Sequence, residues 1–143
     1  MELDKIYTDL ILEASQNPKN RRRLDNPDIE ELGHNPSCGD ELTLLLKFDG
    51  DIIEDISYIG EGCAISKAST SFMIDILKGK TKEEAKKIIN IFLNMIRGED
   101  ISPDDKKLLK DARILENIKN LPARVKCATL SWHTMENILN QLK

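Results

Sequence analysis

Aromatic residues are scarce in this chain: one Trp, two Tyr and three Phe make up 4% of its 143 residues. A core must therefore rest on Leu, Ile and Ala. No apolar run approaches the ~18–20 residues that a bilayer-spanning helix needs, so no membrane association is expected. The acidic, amphipathic start Met1-Glu2-Leu3-Asp4 does not suit a signal peptide, and the expected location is cytoplasmic. Surplus positive charge is missing too. Lys and Arg number 21 against 25 Asp and Glu, a net charge of -4, which argues against a nucleic-acid partner because phosphate binding rests on excess cations. Cysteine is present only three times, with no C-x-x-C. An odd count in a reducing compartment argues against a disulfide framework and leaves metal binding, thiol chemistry or simple burial.

What remains suits one folded unit. With 40% hydrophobic and 32% charged residues, the chain should form a single domain over residues 1–143 with one core. The one basic cluster, Arg21-Arg22-Arg23, lies between Asn- and Pro-containing stretches. It reads as a solvated helix end favoured by the helix dipole, with docking to an acidic partner as the alternative.

The pattern of apolar residues predicts an α+β fold: a small antiparallel sheet with helices packed on it. Leu3, Ile6, Tyr7, Leu10, Ile11 and Ala14 recur at helical spacing, and the stripe should pack on its own domain. Residues 17–40 lack a period and read mostly as loop, with room for one short strand. Leu42, Leu44, Leu46 and Phe48 alternate with Thr43 and Lys47 as a half-buried strand. Asp49-Gly50 is a hairpin signal, and the returning strand runs from Ile52 to Ile59. Four helices should follow: residues 64–78; a stretch behind the Thr81–Glu84 capping box; one begun by Ser102-Pro103; and a last one from about Ala128 to Leu142.

The cysteines fall at three punctuation points. Cys38 lies in the loop Asn35-Pro36-Ser37-Cys38-Gly39-Asp40, Cys63 follows Gly60-Glu61-Gly62 at a helix entrance, and Cys127 precedes the last expected helix. None sits in the middle of a core stripe, where a structural cysteine usually fills an apolar position. A helix N-terminus stabilises a thiolate, the form that binds metal and attacks as a nucleophile. Three thiolates around tetrahedral zinc need a fourth ligand. Asp40, His34 and His133 are the candidates, and Asp40 is favoured because Gly39 lets the loop turn both Cys38 and Asp40 toward one ion. Spacing alone leaves three unrelated cysteines as an equal alternative.

The blocks Asn35-Pro36-Ser37-Cys38-Gly39-Asp40, Gly60-Glu61-Gly62-Cys63-Ala64-Ile65-Ser66 and Pro122-Ala123-Arg124-Val125-Lys126-Cys127-Ala128 together resemble the IscU/SufU/NifU-N family. The resemblance spans nearly the whole chain. It implies the IscU-like fold and a metal site of Cys38, Asp40, Cys63 and Cys127. Scaffolds of the IscU type carry a His directly before the third cysteine, whereas Lys126 stands there here. The interval from Cys63 to Cys127 is also longer. Both departures resemble the SufU branch. That likeness implies zinc, sulfur acceptance on Cys38 from a SufS-type, pyridoxal-phosphate-dependent cysteine desulfurase, and delivery to a downstream scaffold such as the SufBCD complex. It further implies that a desulfurase histidine replaces Cys38 at zinc on docking, and that Arg124 serves docking or steadies the thiolate. The alternative under the same resemblance is a scaffold that binds iron or a [2Fe-2S] cluster.

Overall fold

The Leu42, Leu44, Leu46 alternation builds the middle strand of a three-stranded antiparallel sheet of order β1-β2-β3. In the computed structural model β1 spans Ile29–Asn35, β2 Asp40–Asp49 and β3 Ile52–Glu61. The structure describes residues 2–36 and 39–142, with side chains for all of these except 2–7 and 119–120. Asp49 pairs with Ile52, so Gly50 and Asp51 form a two-residue hairpin turn. Gly50 takes φ 60 there, a conformation that an L side chain resists. The strand pair Asp49-Gly50 announced is thus in place.

The helices follow largely where the periodicity puts them. α1 (Glu2–Gln16) packs on α2 (Ala64–Leu77). From its stripe Ile11 is buried and Leu10 and Ala14 are partly so. α3 (Lys82–Ile96) carries the expected capping box: Glu84 N–H donates to Thr81 Oγ1 at 3.1 Å, and Thr81 N–H to Glu84 Oε1 at 3.0 Å. Those bonds to the Thr81 backbone and side chain hold the Glu84 carboxyl below its usual range. α4 (Pro103–Leu108) begins at Ser102, whose Oγ accepts the Asp105 N–H at 3.2 Å. A series of 3-10 turns (Lys110–Asn120) leads into α5 (Pro122–Gln141). No described helix is long and apolar enough to cross a membrane.

Two packing contacts tie α5 to its neighbours. Trp132, fully buried on α5, stacks on Phe92 of α3 with ring centres 3.9 Å apart. Its indole N–H donates to Ser69 Oγ of α2 at 2.9 Å, and that hydroxyl donates on to the Ala128 carbonyl at 2.5 Å. β1 lies equally close to α5. A Cβ at Gly33 would sit 2.3 Å from Thr134 Oγ1, so only a glycine allows the strand and helix to approach this far.

Three expectations change. Residues 29–35 are a full strand, hidden in the sequence because its fully buried positions are Gly33 and Asn35 and only Ile29 on that face is large and apolar. α5 starts at Pro122, six residues earlier than its apolar pattern shows. The arginine cluster is not a helix end, because α1 stops at Gln16, and each arginine pairs with a carboxylate of the same chain. Arg21 pairs with Glu61 and donates to the Gly60 carbonyl at 2.8 Å. Arg22 forks onto both oxygens of Asp55 at 3.0 and 3.1 Å, and Arg23 reaches Glu30 at 3.0 Å. Partial burial pushes the Asp55 carboxyl upward, but hydrogen bonds and charges from Arg22 and Lys78 outweigh it and hold it below its usual range. The arginines thereby pin the 17–28 segment to the sheet.

Candidate metal centre

Three chain segments far apart in sequence converge at one end of the sheet. Asp40 is the first residue of β2, opposite Asn35 in the register, and is fully buried. The turn before it is closed by Gly39, whose N–H donates to the Asn35 carbonyl at 3.0 Å. Gly39 has φ 73, as expected for the residue that turns the loop toward Asp40. Cys63 is the N-cap of α2: its Sγ accepts the Ser66 N–H at 3.4 Å. At this position the thiol faces amides that have no partner within the helix. Cys127 is buried on α5, with Sγ 3.6 Å from the Ala123 carbonyl.

The Asp40 carboxylate and the Cys63 and Cys127 sulfurs lie within 4.8 Å of one another. Three negative charges at that distance repel by about 3 kcal/mol per pair at an effective dielectric of about 20. A cation placed among the three groups would offset that repulsion. A tetrahedral ion with bonds of about 2.0–2.3 Å has ligand edges of roughly 3.3–3.8 Å, within reach of small side-chain rotations here. One carboxylate and two thiols suit zinc or iron rather than a hard cation such as calcium. The residues present therefore fit a thiophilic metal.

Of the four ligands expected, three are brought together and Cys38 lies outside the described residues. Neither histidine joins the cluster among the described residues. His34 and His133 instead line a cleft of about 250 Å³ between β1 and α5, together with Lys126. Arg124 is exposed in the first turn of α5, one turn before Cys127. The expectation that Cys127 opens a helix is corrected: it lies in the second turn, beyond the four free amides of the helix start. Its thiol owes its place to the body of α5.

Two residues of the site escaped the sequence reading. Ser66 is buried and its hydroxyl donates to Asp40 Oδ2, with the Cys127 carbonyl at 3.1 Å and Cys63 Sγ at 3.6 Å from the same oxygen. Gly62 leaves room for the carboxylate, since a Cβ there would lie 2.9 Å from Asp40 Oδ1. Both sit in the block around Cys63, and nothing in their residue types announces a role.

The NifU-like N-terminal domain matches residues 6–128, a stretch that includes Cys38, Asp40, Cys63 and Cys127. The zinc-dependent sulfurtransferase SufU of Bacillus subtilis is 42% identical over 134 residues, 94% of this chain and 89% of that protein. The iron–sulfur cluster assembly scaffold protein IscU of Thermotoga maritima is 38% identical over 142 residues, 99% of this chain and 98% of its own. The crystal structure of FiSufU from Fervidobacterium islandicum AW-1 superposes with a TM-score of 0.88 at 41% identity, covering 94% of this chain and 97% of that one.

Proposed function

Because the chain belongs to the NifU-like N-terminal domain family, we propose that it is a zinc-dependent sulfur acceptor. In this reading it takes persulfide sulfur from a SufS-type cysteine desulfurase for iron–sulfur cluster assembly. The observation that carries this is the convergence of Asp40, Cys63 and Cys127 within 4.8 Å. The likeness to a relative named as a zinc-dependent sulfurtransferase supports it. Asp40, Cys63 and Cys127 hold zinc, with Cys38 as the fourth ligand. Zinc supplies a charge that keeps thiolates deprotonated near neutral pH and adds binding energy to the folded state.

Cys38 is the acceptor. Its thiolate attacks the terminal sulfur of the partner's cysteine persulfide. A sulfur–sulfur bond forms on Cys38 as the partner's own sulfur–sulfur bond breaks, and the partner cysteine leaves as a thiolate. No external electrons are needed, and Cys38 ends as a persulfide ready for a downstream scaffold such as the SufBCD complex. Arg124, exposed on the α5 turn before Cys127, serves docking or steadies the thiolate.

A second reading is a scaffold for a [2Fe-2S] cluster, favoured by the likeness to a relative named IscU. The position before Cys127 weighs against it. Lys126 is exposed and lines the outer cleft, and an ammonium is no substitute for an imidazole ligand.

Elemental analysis and an absorption spectrum of the purified protein separate the two. About one zinc per chain with no visible bands, plus faster desulfurase turnover that is lost in Cys38→Ala, is the expected result. Iron and sulfide with a brown spectrum would replace the acceptor reading by the scaffold. Turnover undiminished in Cys38→Ala would remove Cys38 from its role.

A further inference from the structure

We propose that Ser66 and Gly62 are positioning residues of the metal centre, which orient the Asp40 carboxylate toward the two thiols. The proposal rests on the reading of Asp40, Cys63 and Cys127 as metal ligands.

A carboxylate at the start of a strand has a soft terminal torsion, so a buried aspartate needs partners to hold its plane. Asp40 has them on both oxygens. Oδ1 accepts the Cys63 N–H at 2.9 Å, and Oδ2 accepts the Ser66 hydroxyl. Ser66 is the third residue of α2 and 1% exposed, so water does not compete for its hydroxyl. That one oxygen also lies 3.1 Å from the Cys127 carbonyl and 3.6 Å from Cys63 Sγ. A single hydroxyl therefore touches all three donor residues. It has one proton, and the charged carboxylate is the stronger acceptor. Its backbone N–H meanwhile serves Cys63 Sγ at 3.4 Å. The side chain steadies one ligand and the main chain of the same residue steadies another.

Gly62 works at the other carboxylate oxygen. A Cβ there would come within 2.9 Å of Asp40 Oδ1 and 3.3 Å of Ser66 Cβ. The buried Asp40 carboxylate and the short Ser66 side chain leave little room to yield. Any larger residue must turn the carboxylate or push α2 outward. Outer-shell partners of this kind change metal affinity about 10- to 100-fold when removed.

The test titrates Co2+ into the metal-free chain and follows its visible ligand-field spectrum, with zinc affinity obtained by competition. It needs no desulfurase and no Cys38 chemistry, so sulfur acceptance can fail while this result stands. Ser69→Ala is the control, because Ser69 lies one turn along α2 and bonds to Ala128 and Trp132. Ser66→Ala is expected to weaken both metals about 10- to 100-fold and alter the cobalt spectrum. Ser69→Ala should lower the melting temperature but leave metal affinity and spectrum alone, and Ser66→Thr should retain binding. Should Ser66→Ala fail to fold, Gly62→Ala carries the test with the same expected loss. Unchanged affinity and spectrum in these variants would overturn the positioning role. A native chain that takes up no Co2+ would overturn the role and the metal reading together.

Discussion

The backbone N–H of Cys63 donates to Asp40 Oδ1 at 2.9 Å, so one metal-ligand candidate orients another before any ion arrives. The start of α2 is anchored to the start of β2 by this bond. Losses at one residue should therefore be felt at the other.

Cys63→Ser and Cys127→Ser should each weaken zinc by more than the 10- to 100-fold typical of outer-shell changes, since each removes a thiolate. Competition with a chromogenic chelator measures this. Zinc held as tightly in Cys127→Ser as in the native chain would exclude Cys127 as a ligand.

Zinc removal should lower thermal stability. An ion bound only to the folded state, at 100 times its dissociation constant, adds about 2.7 kcal/mol. At roughly 2–4 °C per kcal/mol for a domain of this size, a strong chelator should lower the melting point by roughly 5–10 °C. Scanning calorimetry with and without chelator checks it, and readded zinc should restore the value.

Asp55 should shape the acid limb of the stability curve. Its folded pKa lies below the unfolded value near 4. Its contribution is then fully present above about pH 4 and fades as pH falls through the folded value. Asp55→Asn should thus cost a constant amount at neutral pH, roughly 1 kcal/mol or less for so exposed a network, and nothing at the acid end. Urea unfolding at several pH values tests it. A deficit that grows toward low pH would contradict the assignment.

Gly33→Ala should destabilise by about 1–3 kcal/mol through overpacking, because the new Cβ meets Thr134 Oγ1 at 2.3 Å. Thr134→Ala removes that oxygen and should recover most of the loss in the double variant. A double-mutant cycle by chemical denaturation reads the coupling, and additive costs would mean that the strand–helix contact relaxes freely.

Much of this architecture was legible because its signals are local. The Asp49-Gly50 turn and the Thr81–Glu84 box each lie within a few residues and appear as read, and the Leu42–Leu46 strand is in place, although Leu45 is buried as fully as Leu44 and Leu46. What stayed hidden depends on distant partners. β1 looks polar because α5 covers it so closely that Gly33 replaces a large side chain. The start of α5 carries no capping side chain at Leu121, and Pro122 at its first position is the one local signal of that start, which the apolar pattern from Ala128 onward does not include. The cysteine blocks pointed to Asp40, Cys63 and Cys127, which do converge, while Cys38 lies outside the described residues. Ser66 could not be singled out, because its worth comes from the fold that sets its hydroxyl against Asp40.

The lone tryptophan gives the molecule its own optical gauge. Trp132 is joined through Ser69 to the Ala128 carbonyl, the residue beside Cys127, and is stacked on Phe92. Its emission therefore samples the junction where α5 brings Cys127, a ligand candidate, up to α2. A fluorescence trace could follow loading and emptying of the centre in real time, without a dye or a second chromophore attached to the chain.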